Sequence, residues 1–174
     1  MTLGMKPGDH PDFFRFPPPP GTSRESRLRL DREGQFWDAD ERIEQPRFRD
    51  ALNAWIARHP DDGRYILTNG YDWTYFTVDD VPFFVLAVRE RDGEPLLVLT
   101  EGTECPMRAA GLTQSDDGAL YVPVEVRGAE YEARFTRTAQ AQLAPYLTEV
   151  EPNGTVGVRI GGAVVVPAKR GGAA

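Results

Sequence analysis

Residues 46–67 read PRFRDALNAWIARHPDDGRYIL, and this stretch decides the fold class. Pro46 suits the first position of a helix, where its missing N–H has no intrahelical partner. Phe48, Ala51, Leu52, Trp55 and Ile56 then recur at i, i+3, i+4, i+7 and i+8. That is one apolar stripe at helical period, so the spacing predicts a helix over 46–58. His59-Pro60-Asp61-Asp62-Gly63 breaks it, and Arg64-Tyr65-Ile66-Leu67 reads as a strand. A helix giving way at once to turn-bounded strands points to an α+β protein.

Working outward, strands dominate. Leu28 and Leu30 alternate with Arg27, Arg29 and Asp31; Glu33-Gly34 is a turn, and Gln35-Phe36-Trp37 resumes a strand. Downstream, Thr68-Asn69-Gly70 has the asparagine-glycine signature of a tight hairpin. Residues 72–78 alternate with apolar side chains on both faces. Asp79-Asp80 interrupts, Val81–Val88 is the longest apolar run, and Arg91–Glu94 turns into Leu96–Leu99. Residues 101–118 read as loop. Leu120–Val126 and Glu130–Phe135 alternate again. Thr136 or Thr138 caps a second helical window through Leu143 and Val150, and Pro145 inside it predicts a kink or two short turns. Pro152-Asn153-Gly154 turns the chain into a closing hairpin around Gly161-Gly162.

The order turn, strand, strand, helix, turn, strand occurs twice. Asp31-x-x-Gly34, Leu52 and Trp55, then Asp62-Gly63 match Asp117-Gly118, Leu143 and Tyr146, then Asn153-Gly154. The expected fold is therefore α+β, with two pseudo-repeated motifs of mainly antiparallel strands, each with one helix, over 27–100 and 101–167. A disordered Pro-rich arm (1–26) with the run Pro17–Pro20 is expected before them, and a disordered tail (168–174) after them.

The 174-residue chain carries a net charge of −7. In residues 1–30, Lys6, Arg15, Arg24, Arg27 and Arg29 face Asp9, Asp12 and Glu25, so this leading stretch is +2 and the remainder −9. An acidic body repels a phosphate backbone, so no nucleic-acid partner is expected. No apolar run approaches a membrane span, so no membrane partner is expected either. A single cysteine, Cys105, excludes an internal disulfide framework and suits a cytoplasmic setting. With two histidines, no metal site or cofactor is expected.

No nucleophile or phosphate-loop motif is present. Cys105 precedes Pro106 in a loop without a base beside it, and His59 at a helix end is accounted for by the helix dipole. Trp73, beside Tyr71 and Tyr75, is a candidate ligand wall, and Asp79 and Asp80 are candidate ligand-binding carboxylates. Adjacent strand residues point to opposite faces, so the two aspartates make no dyad unless the strand breaks. Phe13, Phe14 and Phe16 beside the proline run are candidate partner-binding residues, or pack on the domain as an extended arm.

Several of these residues resemble the bacterial family called domain of unknown function 1285. The likeness rests on Asp31-x-x-Gly34-Gln35-Phe36-Trp37, on Gly63-Arg64-Tyr65-Ile66-Leu67 and on Val78-Asp79-Asp80-Val81-Pro82-Phe83-Phe84. Glu132–Arg137 is similar to the family's second half, and the likeness spans about 27–167. It implies two repeated α+β motifs and a link to signal transduction, with no established catalytic residues. The expected function is a non-enzymatic cytoplasmic module that binds a small molecule or a protein in a groove between the repeats, near Trp73, Asp79 and Asp80. The alternatives are a small hydrolase-like enzyme using a cleft carboxylate, and an adaptor recruited through Phe13–Pro20.

Overall fold

The stripe of residues 48–56 does form a helix, but a shorter one. The computed structural model describes residues 4–171 and places α1 at Pro46–Trp55. The Gln45 side chain accepts from the Phe48 N–H and so closes its first turn. Ile56 is already in a strand, because Pro60 disfavours helical backbone at His59 and the chain finds sheet partners instead. Among the described residues no helix is long and apolar enough to cross a membrane.

The chain divides into two compact units, at Asp80 and Val81. Unit 1 opens with β1 (Leu28–Leu30), β2 (Phe36–Asp38) and β3 (Glu41–Arg42). The β1–β2 turn is held by Asp31, whose Oδ1 accepts from the N–H groups of Glu33 and Gln35. After α1 come β4 (Ile56–Arg58), β5 (Tyr65–Thr68), β6 (Trp73–Tyr75) and β7 (Thr77–Val78). One sheet runs β3-β2-β1-β7, with β7 parallel to β1; the other is the antiparallel meander β4-β5-β6. Leu30, Phe36, Leu52, Ile56 and Ile66 are each no more than 1% exposed and form the core.

Unit 2 opens with β8 (Phe83–Arg91), β9 (Glu94–Leu99) and β10 (Glu104–Pro106). β11 (Thr113–Gln114), β12 (Leu120–Val126) and β13 (Ala129–Phe135) follow. The β8–β9 and β12–β13 turns have positive φ at both central residues, Asp92-Gly93 and Arg127-Gly128, the hairpin geometry that matches strand twist. Next come α2 (Arg137–Ala141), capped by the Thr136 side chain, and a single 3-10 turn at Ala144–Tyr146 containing Pro145. The last strands are β14 (Leu147–Glu149), β15 (Val156–Ile160), β16 (Ala163–Val165) and β17 (Ala168–Lys169). A seven-stranded sheet runs β10-β9-β8-β13-β12-β11-β17 and a three-stranded one β14-β15-β16.

Four expectations change. The boundary falls at Asp80 rather than at residue 100, because β8 pairs in parallel with β13 and carries β9 with it. Residues 101–118 are not all loop, since β10 and β11 find partners in β9 and β12. The arm is ordered between its described residues: 3-10 turns stand at Pro7–Asp9 and Phe13–Arg15, and Phe13 is 4% exposed. The tail contributes β17, whose Ala168 N–H donates to Leu112 O at 3.0 Å, with Arg170 paired to Glu132 at 2.7 Å. The ends of the expected arm and tail, 1–3 and 172–174, lie outside the described residues.

Candidate binding site

The helical stripe that builds unit 1 also leaves a cavity. Phe48, Leu52 and Trp55 descend one face of α1, while Leu67 on β5, Trp73 on β6 and Leu28 on β1 supply the facing walls. Asn69, Asp72 and Thr74 add polar groups. The volume is about 200 Å³. The β5–β6 loop is fixed by Asn69, whose Oδ1 accepts from the N–H groups of Tyr71 and Asp72. That makes a four-residue loop, with Thr68 opposite Trp73, in place of a two-residue asparagine-glycine turn.

Trp73 is held on its other side by the arm. Arg24 stacks 4.5 Å from its ring and donates Nη1–H to Asp72 Oδ1 and, at 2.8 Å, to Trp73 O. Its Nη2 reaches Phe16 O and Pro17 O, so one guanidinium ties the arm to the β6 strand. Burial pushes the Asp72 carboxyl up, but the Arg24 hydrogen bond and the Trp73 N–H outweigh it and leave it below the usual range. Trp73 Nε1 is buried without a hydrogen-bond partner.

His59, 6% exposed, completes an aromatic cluster with Phe14, Trp73 and Tyr75. Its Nδ1 accepts from the Asp61 N–H, which leaves Nε2–H to donate to Phe14 O at 3.0 Å. Both ring nitrogens are engaged, so His59 fastens the arm and is not poised as a base. The rim is ionic. Tyr75 OH donates to Asp62, Arg64 forks onto Glu25 at 2.8 and 2.9 Å, and Arg15 forks onto Asp61.

The sequence candidates do not converge. Trp73 lines the cavity; Asp79 and Asp80 do not. Asp79 terminates β7, its N–H on Leu30 O and its carboxylate on the Arg29 guanidinium. Asp80 follows, half-buried and with contacts of its own. Phe13 and Phe14 pack on Ile66, Trp73 and Tyr75, and Phe16 is 44% exposed. Cys105 is half-buried in β10, and burial first, then Glu101, raises its thiol pKa, the wrong direction for a nucleophile. Among the described residues no cluster of three His, Cys, Asp or Glu side chains is placed to hold a metal ion. Arg24 and Asp72 escaped the sequence reading, because they meet across 48 residues with no local signature.

Unit 2 has a larger, polar hollow of about 580 Å³ beside α2, with Asp117, Arg134, Arg137 and Gln140 on its wall. Gln140 is clamped between Gly118 O and the Leu120 N–H, and Arg134 lies 3.7 Å from Asp117. Gln140 thus serves the unit's own backbone, and Arg134 and Asp117 serve each other.

No family model matches the sequence, and no curated protein matches it. The fold does have relatives. A DUF1285 family protein from Silicibacter pomeroyi DSS-3 superposes with a TM-score of 0.62 at 20% identity, covering 83% of this chain and 80% of that one. A second, from Shewanella baltica OS155, gives a TM-score of 0.54 at 16% identity, covering 71% of this chain and 94% of that one. The chain resembles the DUF1285 family.

Proposed function

We propose that the protein is a non-enzymatic binding module whose unit 1 cavity receives one apolar side chain from a protein partner. The cavity carries this reading. At about 200 Å³ it falls below the roughly 300–1,000 Å³ of pockets that engulf a small molecule. Its walls are Leu28, Leu52, Leu67, Phe48, Trp55 and Trp73, the apolar and aromatic lining in which a single anchor side chain contributes most of an interface's energy. The hydrolase alternative has less support, since Asp79 is neutralised by Arg29. The adaptor alternative is left with Phe16 as the arm's exposed phenylalanine.

We also read the chain as two copies of one motif. Matching strand orders support this: β3-β2-β1-β7 beside β13-β12-β11-β17, and β4-β5-β6 beside β14-β15-β16, with β7 and β17 each the parallel partner of a first strand. Turn bonds match too. His59 N–H donates to Arg64 O and Val150 N–H to Thr155 O; Asp62 and Asn153 each accept from the N–H two residues on. A cytoplasmic role in signalling accords with the family resemblance and with a lone, half-buried cysteine.

The test is a titration of methyl-labelled protein with N-acetyl-phenylalaninamide and N-acetyl-leucinamide. Saturable shifts confined to Leu28, Leu52 and Leu67, and abolished in Leu28→Phe, are expected. Unperturbed leucine methyls up to the solubility limit of both probes would refute the anchor-pocket reading.

A further inference from the structure

In unit 1 the outer face of the β4-β5-β6 meander is covered. Phe13 and Phe14 lie on Ile66, Trp73 and Tyr75, and Arg15 seals the edge on Asp61 with contacts of 3.1 and 2.8 Å. The matching bonds place Val150 where His59 stands, Gly157 where Ile66 stands and Val164 where Trp73 stands. These three share a face of the β14-β15-β16 sheet. A Cβ built on Gly157 would lie 2.5 Å from Val164 Cγ1 and 3.0 Å from Val150 Cγ2. Both valines are nevertheless 46% exposed.

We propose that this valine face docks a peptide segment of a partner protein that presents two adjacent aromatic side chains followed by an arginine. The inference rests on the two-copy reading above and adds a second site to it. Three observations select that occupant. The equivalent face already holds such a segment, Phe13-Phe14-Arg15. The bed in unit 2 is built of valine and glycine where unit 1 has His59, Ile66 and Trp73, so the aromatic bulk must come from the ligand. Charge matches as well: the β14–β15 turn carries Glu151 where the β4–β5 turn carries Asp61, one position apart; its Oε2 accepts from the Asn153 amide at 3.0 Å, and the exposed carboxylate keeps its negative charge for the arginine.

The experiment titrates the full chain, labelled at its valine and isoleucine methyls and its tryptophan indoles, with a synthetic peptide of its own residues 9–18, DHPDFFRFPP. Saturable shifts at the Val150 and Val164 methyls are expected, weakened about tenfold by Val164→Glu and several-fold by Glu151→Lys. Val150→Thr, a milder surface change, should weaken binding in the same direction. Absent shifts at these two methyls, or undiminished affinity in Val164→Glu, overturn the proposal. So do shifts confined to the Ile66 and Trp73 cluster, which mean that the peptide only replaces the arm. A concentration-dependent dimer that Val164→Glu dissolves also overturns it, because a second copy then covers the face. Val164→Trp, which installs the unit 1 residue, separates the two readings. Tighter binding supports both; wild-type binding that Val164→Trp fails to tighten supports the docking site and sinks the two-copy equivalence.

Discussion

His59 and Arg24 show how much of the arm's placement rests on single side chains. His59 contributes one hydrogen bond to Phe14 O and meets the Phe14 ring edge-on, with ring centroids 5.8 Å apart. In His59→Ala the arm loses both, so trypsin is expected to cut after Arg15 several-fold faster than in the wild type, while the far-ultraviolet circular dichroism stays unchanged; equal cleavage rates would remove His59 from this role. Arg24→Ala removes charge-assisted bonds to Asp72, Trp73, Phe16 and Pro17 from a largely buried guanidinium. The expected loss is about 1.5–3 kcal/mol of unfolding free energy, read by denaturant titration. Leu52, 1% exposed, borders the cavity, and Leu52→Ala is expected to cost about 2–5 kcal/mol as its side chain's place joins the existing void.

At the scale of elements, the rim of the β4-β5-β6 sheet sets the response to pH. The Arg64 fork holds Glu25 below its ordinary 4.5, the Arg15 fork holds Asp61 below 3.8, and the Tyr75 hydroxyl holds Asp62 below 3.8. These groups bind protons more weakly in the folded chain, so their stabilisation is present above the unfolded carboxylate range and is lost as pH falls through the folded values. Tyr75 moves the other way. Its bond to Asp62 raises it above 10.0, so its share is present below pH 10 and is lost as pH rises through the folded value. Thermal unfolding followed against pH should therefore show a plateau with an acid and an alkaline shoulder. Asp62→Asn should blunt both shoulders; an unaltered profile would detach this pair from the stability curve. The elements themselves were largely readable beforehand. The 46–55 stripe, the Pro145 interruption and the Asp92-Gly93 turn act through neighbours a few residues away, and local period reports local geometry. The helix end was misplaced by three residues, because Ile56-Ala57-Arg58 continue the apolar stripe while their partners lie at Leu67-Ile66-Tyr65.

At the scale of the molecule, what the sequence concealed is mostly parallel pairing. β1 with β7, β8 with β13 and β11 with β17 join segments about 50 residues apart, and β1, β7, β11 and β17, of two or three residues each, carry no register of their own. That is why the boundary was expected at residue 100, and why Trp73, in one apparent strand over 72–78, and Asp79, at the interruption that ends it, were expected at one site. β6 and β7 belong to different sheets, and the break at Phe76 parts them. With the boundary at Asp80, unit 1 holds a full core of its own. Residues 1–80 expressed alone are expected to give dispersed amide resonances and one cooperative denaturant transition, as other small domains do; a collapsed, non-cooperative species would show that this core is insufficient.

The junction of α1 with β4 has a consequence for how this chain tolerates change. Trp55 ends the helix and Ile56 begins the strand, with no residue between them to absorb a shift. One amino acid inserted there would rotate the entire strand by half its pleat: Ile56 would be driven into water, and His59 would turn away from the carbonyl it holds. Length variation should therefore be accepted at the Ala39-Asp40 corner or in the Gly102 loop, and refused at this seam.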